Sequence, residues 1–354
     1  MPTSRLPFPH LVLGLALLAA PGCASSCGQS VLCVVRGPIN DPSNYSLRRS
    51  IMGMGLKEFC KQMTTHNAPL RLTEAAPAIG RFYPQHCTQR ELPNGDLDVE
   101  FDGFGYAWTA LSKKITFTMS GAVDYDQDFR IHDNCDIYAY FRPRTVRGSN
   151  FQTKLIEQPV ANFLNSLTPM GDNFGKQLVS GKLGDGFTVI REKSGNVDFG
   201  LGTIQLGQRP VHPYDMHGSS MLVYENLRAE IAQEERDFVG PIEVTDSDRA
   251  LFITATMQGV PAIDLLLMKK QDAEMSLGLY FQYPQAGPLN APVMLADVVA
   301  AQQPYKRTIP VPKGTYYVVL DNSSSAGSVA PPNMGLLANA AATVDYAIQI
   351  GDAP

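Results

Sequence analysis

The strongest pattern along the chain is the alternation of apolar and polar residues in KKITFTMSGAVDYDQDFRI, residues 113–131. Ile115, Phe117, Met119, Val123, Tyr125, Phe129 and Ile131 fall on one face. Lys114, Thr116, Thr118, Ser120, Asp124, Asp126, Asp128 and Arg130 fall on the other. A period of two held this long predicts a half-buried antiparallel strand, long or bent at Gly121. CDIYAYF (135–141) is its natural partner, reached through the turn HDN.

On either side of this pair the spacing turns helical. Leu47, Ile51, Met54 and Phe59 predict a helix from about Ser46 to Met63, capped by Ser46 or Asn44 and weakened by Gly53 and Gly55. A second helical stretch covers 158–181. Pro159 suits its first turn, and Val160, Phe163, Leu164 and Leu167 form an apolar stripe. It resumes after PMGD with Asp172 as a cap and Gly181 as a stop. FTVIREKSGNVDFGLGTIQLG (187–207) reads as a hairpin with Ser-Gly-Asn at its tip. Residues 45–220 are therefore expected to form an α+β domain, an antiparallel sheet with helices. The junction around 212–238 fits either a helix, on Val223, Leu227 and Ile231, or strands bounded by charged turns. Beyond it the chain reads as all-β. VGPIEV, ALFITATMQG, AIDLLLMKK, LGLYFQY, KRTIPV, TYYVVLDN and TVDYAIQIG are short strand-like runs at the spacing of a β-sandwich, expected over 221–354.

The first 44 residues follow neither pattern. Arg5 precedes a ten-residue apolar core, Leu11 to Ala20, too short to cross a bilayer as a stable helix. No later run approaches the necessary length. Cleavage after Ala20 or after Gly22 both fit a secretory signal. Ala20-Pro21-Gly22-Cys23 resembles the lipobox of bacterial lipoproteins. That resemblance implies a signal peptide over 1–22, acyl chains on Cys23, a tether over 23–44 and a membrane as partner through the lipid. Ala24, rather than Asp, after the cysteine implies the outer membrane, with the protein facing the periplasm or the cell surface. A plain secreted protein cut near Ala20 is the alternative.

Composition supports export. All six cysteines (Cys23, Cys27, Cys33, Cys60, Cys87 and Cys135) lie in the first 135 residues. Cys60 and Cys87 form the preferred bridge, closing a loop of fewer than thirty residues and contributing about 3 kcal/mol on a chain-entropy estimate. Cys27 and Cys33 are candidates for a local bridge in the tether. With Cys23 lipidated, five remain, so one is free or pairs between chains. Charged residues are 18% of the chain, below the roughly 25% of a typical soluble domain, which fits a strand-rich extracytoplasmic protein. The net charge of −5 argues against nucleic acid as a partner. The nearest thing to a basic cluster, Arg142, Arg144 and Arg147 in FRPRTVRG, reads as a solvated loop.

Candidate chemistry is sparse. Asp124, Asp126 and Asp128 have the spacing of an EF-hand start, but Phe129 stands where the loop needs glycine and Cys135 where it needs glutamate. The three carboxylates read as one polar strand face. A calcium site with Asp133 and Asp136 at the strand end is the remaining metal candidate. His132 and His86 lack the paired spacing of a zinc site. MHGSSM, with His217, Ser219 and Ser220, lacks the second glycine of a nucleophile elbow. Tyr280, Phe281, Tyr283, Tyr316 and Tyr317 suit a sugar-stacking platform or core packing equally. Phe163, Leu164, Leu167, Phe174 and Leu178, in a Met-rich domain, are the candidates for an apolar groove. No cofactor is expected.

The second half resembles the bacterial pre-peptidase C-terminal type of β-sandwich. RDFVGPIEV matches its entry strand, ALFITATMQGVPAIDLLLM the strands that follow, PKGTYYVVLDN the late Gly-Thr-Tyr-Tyr strand and VDYAIQIG the closing one. The resemblance implies a non-catalytic accessory module. The expected function is an anchored binding or assembly module of the envelope, meeting an envelope protein. The alternatives are a carrier of lipid or another apolar ligand, and a hydrolase acting through Ser219 and His217.

Overall fold

The computed structural model describes residues 33–55, 59–73, 75–108, 114–157, 186–193, 196–201, 206–217, 219–331 and 340–354. Cys23, Cys27 and the expected helical stretch, with Phe163, Leu164, Leu167, Phe174 and Leu178, lie outside the described residues.

Two short helices open the first half after α1 (Arg36–Asn40): α2 (Tyr45–Gly55) and α3 (Phe59–Thr64). Both fall within the stretch expected to be helical, Ser46 to Met63, apart from the ends of each. Seven strands follow: β1 (Ala68–Pro69), β2 (Gly80–Glu91), β3 (Leu97–Trp108), β4 (Lys114–Ile131), β5 (Ile137–Ile156), β6 (Phe187–Arg191) and β7 (Val197–Leu201). Each pairs antiparallel with the next, in chain order.

The expected α+β domain is thus corrected to a curled antiparallel sheet carrying short helices. The physical reason is that the sheet packs largely against itself. Bulges in the β4–β5 pairing, one of them at Gly121, bend the strands. Aromatic side chains of adjacent and next-but-one strands meet in the sheet's core. Phe82 stacks on Phe117, Phe117 on Phe151, and Phe141 on Phe187, while Tyr125 meets Phe187 edge-on. The helices contribute Ile39, Ile51 and Met52 to this core and no layer of their own. All the apolar positions of the alternating run are buried here.

The second half is a sandwich of two four-stranded antiparallel sheets. One orders β13 (Tyr305–Pro310), β10 (Arg249–Gln258), β15 (Ala342–Asp352) and β8 (Leu222–Ile231). The other orders β12 (Leu295–Ala300), β11 (Ala262–Lys269), β14 (Gly314–Asn322) and β9 (Glu235–Val244). The ambiguous junction therefore resolves into strands β8 and β9. The run LGLYFQY is not a strand but the end of helix α4 (Lys270–Gln282). Ala273, Leu277 and Tyr280 are its buried apolar positions, spaced four and three apart as a helix requires. Asp272 in its first turn favours the positive end of the helix dipole. The helix also explains β11. Leu265, Leu266, Leu267 and Met268 are all fully buried, because this strand is covered on both faces.

The sandwich's core reaches into the first half, while the curled sheet keeps a second core of its own. Ala78, Ile79, Tyr83, Tyr106 and Trp108 of the first half belong to the sandwich's apolar cluster. The seam is pinned by Arg81, which is fully buried. Its guanidinium forks onto Asp237 at 2.7 and 2.8 Å, donates to Glu225 at 2.9 Å and meets the Tyr346 hydroxyl. Tyr106 donates to Asp237 at 2.8 Å, and Tyr83 to the Phe238 carbonyl at 2.6 Å. Burial pushes both phenols well above their ordinary range, so they remain protonated donors.

Candidate functional site

The polar face of β4 becomes a ladder of ion pairs once its neighbours are in place. Asp98 on β3 stands directly opposite Asp124 on β4. Two carboxylates facing each other repel. Arg147 of β5 bridges them, lying 3.1 Å from Asp124 and in contact with Asp98, while Arg90 reaches Asp98 from β2 at 2.5 Å. One row further, Asp126 accepts from the Tyr45 hydroxyl at 2.6 Å and lies 3.6 Å from Arg144. Arg49 and Arg144 both hold Asp96. Asp128 takes the fork of buried Arg48 at 2.7 and 3.3 Å. The arginines read as a solvated loop are residues of strand β5: Arg144 and Arg147, with Arg90 of β2 and the arginines of α2, supply the cations for this face, while Arg142 lies over the Tyr140 ring.

The other two metal candidates are also occupied by protein. Asp133 pairs with Arg36 at 2.5 Å. Asp136 pairs with Arg209 at 2.7 Å and accepts the Lys193 N–H at 3.0 Å. Among the described residues no group of three or more His, Cys, Asp or Glu side chains is placed to hold a metal ion.

The disulfides redraw the cysteine map. Cys60 and Cys87 are bonded, tying α3 to β2. Cys33 is bonded to Cys135, 102 residues away, and not to Cys27. The chain just before α1 is therefore fastened to the β4–β5 turn. Cys135 sits at φ 71°, the left-handed backbone that this tight turn demands.

Beside the ladder the same face opens into a shallow cleft of about 500 Å³. Its floor is the register of four strands. His86, Asp102, Ser120 and Asn150 form one row across β2, β3, β4 and β5; Thr88, Glu100, Ala122 and Arg147 form the next. His86 Nδ1 lies 2.9 Å from Asp102 Oδ1. In this order the carboxylate stands between the imidazole and the Ser120 hydroxyl, so the histidine is not placed to take that hydroxyl's proton. The row offers hydrogen-bond donors and acceptors to a polar ligand rather than an activated nucleophile.

The hydrolase candidates are engaged elsewhere. Ser219 Oγ accepts from the Met221 N–H at 3.1 Å and from Gln349 Nε2 at 2.9 Å, while His217 Nδ1 lies 3.2 Å from Glu192. No hydrogen bond joins Ser219 to His217 among the described residues. Of the aromatic candidates, Tyr280, Tyr316 and Tyr317 are buried, and only Tyr283 is well exposed, so they make no platform. Compared with known proteins, the chain matches no family model, and no curated protein matches its sequence at a significant level.

Proposed function

We propose that the protein is an exported lipoprotein, anchored through acyl chains on Cys23, that serves as a non-enzymatic binding or assembly module of the bacterial envelope. The single observation that supports this most is the pair of disulfides, because such bonds persist in oxidising compartments outside the cytoplasm. No helix among the described residues is long and apolar enough to cross a membrane, so a lipid is the attachment this reading invokes. The ten residues from Cys23 to Cys33 span at most about 35 Å when extended. The Cys33–Cys135 bond then holds the curled sheet close to the bilayer. The polar cleft across β2 to β5 is the binding face in this reading.

The test is the intact mass and free-thiol count of membrane-extracted protein, with and without Cys23→Ala. A chain starting at Cys23, carrying acyl mass that the variant lacks and one free thiol at Cys27, is the expected result. A soluble, unacylated chain retaining both Cys23 and Cys27 defeats the proposal and leaves a secreted protein.

A further inference from the structure

Where β4 and the end of β5 meet β9 and α4, three ionisable side chains are sealed from water. Lys114 and Glu235 are fully buried, and Glu157 is 4% exposed. The Lys114 ammonium sits 3.7 Å from the centre of the Tyr280 ring and 3.8 Å from Glu235 Oε2, and it donates to the Gln285 carbonyl. Tyr280 donates its hydroxyl proton to Glu235 Oε2 at 2.5 Å. Glu157 Oε2 accepts the N–H of Gln285 at 2.8 Å, the same residue whose carbonyl takes the Lys114 ammonium, and its charge bears on Glu235. Glu235 Oε1, fully enclosed, has no donor among the described residues.

The charges do not cancel as they stand. One ammonium faces two carboxylates. The next cation, Arg236 on β9, is committed to Asp321 at 2.7 Å and to the carbonyls of Ala286 and Gly287. An unbalanced charge in a dry site is costly, and a buried acceptor without a donor adds to the cost. A single proton on Glu235 removes both defects: it leaves one ammonium facing one carboxylate, and Oε1 is no longer a bare anionic acceptor without a donor.

We propose that Glu235 keeps a proton in this sealed site, beside the Glu157 carboxylate, and that this proton latches the curled sheet to the sandwich and is released as pH rises. The groups that bear on it are Lys114 from β4, Glu157 from the end of β5, Tyr280 from α4 and Arg236 from β9 itself. Burial raises Glu235 to about 8, against the opposing pull of Lys114. Burial likewise lowers Lys114 to about 8, against Glu235 and Glu157. An acid held above its ordinary value stabilises the fold fully at low pH, and that stabilisation is lost as pH climbs through the folded-state value. The window runs from the ordinary glutamate range to about pH 8, with the folding constant falling by up to about tenfold per pH unit. Lys114, shifted downward, acts in the opposite direction only above this window.

The experiment combines infrared spectroscopy in D₂O with denaturant unfolding across about pH 5 to 9, on the wild type, Glu235→Gln and Glu157→Gln. Spectra are compared at about pH 7.5, where Asp321, raised by burial to about 6, is ionised. The expected result is a protonated-carboxyl band in the wild type that is absent from both variants. Glu235→Gln should also lose up to about tenfold per pH unit of the pH dependence of folding. A wild-type spectrum without the band overturns the proposal, whether or not the variants fold. So does a band that survives in both variants, or an unchanged pH slope in a folded Glu235→Gln.

Discussion

The curled sheet and the sandwich solve the same problem with different materials. The sandwich buries long apolar runs on two facing sheets, with β11 and β14 covered on both sides. Its strands need no covalent help, and no disulfide falls within it among the described residues. The curled sheet encloses a smaller aromatic core and carries a charged outer face, and both disulfides are here. A domain with less apolar area to bury leans on cross-links that limit its unfolded chain and on charges matched one by one.

Five variants, one of them followed across pH, break or sharpen this comparison. Replacing Cys33 and Cys135 with serine opens a loop of 102 residues, at a cost of about 5 kcal/mol on the chain-entropy scale. Amide exchange should rise in β2 to β5 while β10, β11 and β14 stay protected. Equal loss in both halves would show that the shared core makes them one cooperative unit.

Arg81→Ala comes next. It leaves Asp237 and Glu225 without their cation in the seam, an expected loss of about 4 kcal/mol by denaturant unfolding. Leu265→Ala, wholly within the sandwich core, should cost about 3 kcal/mol, and this one should leave protection of β2 to β5 above that of the sandwich.

His212 gives a smaller effect, visible as pH dependence. It spans the two halves, with Nε2 3.0 Å from Asp198 on β7 and Nδ1 2.7 Å from the Asn226 carbonyl on β8. Burial opposes its charge, but the hydrogen bond and charge of Asp198 prevail and hold its pKa above the ordinary value. The stabilisation is therefore complete below about pH 6.5 and lost as pH rises through the elevated value. His212→Gln should flatten the melting temperature over that range. The smallest change is Arg228→Ala. Arg228 forks onto Asp345 at 2.6 and 2.8 Å but lies half in solvent, so a loss of about 0.5 kcal/mol or less is expected.

Much of the fold was legible in the residues. The alternation from Ile115 to Ile131 marks both the strand and its buried face, because side-chain period is a local property of extended backbone. Six of the seven strand-like runs after Phe238 lie on strands. LGLYFQY misled because Leu, Tyr and Phe favour strands, yet the spacing of Ala273, Leu277 and Tyr280 carried the helical signal. The curl of the first half's sheet was not legible, since it comes from bulges that depend on pairing register. The cleft was equally hidden. His86, Asp102, Ser120 and Asn150 are scattered over 65 positions and meet only through the registers of three strand pairs.

By itself, the sequence determined the periods of its strands, the apolar face each would bury and the crowding of cysteines toward one end. Those follow from neighbours a few residues apart. Tertiary structure alone decided that Cys33 would find Cys135, that Arg144 and Arg147 of FRPRTVRG would answer Asp126 and Asp124 of DYDQDFR, and that Lys114, Glu157 and Glu235 would be shut together away from water. Each of these depends on which strands pair, in what register and around what curl, and only there do opposite charges, thiols and carboxyls far apart in the chain come within bonding distance.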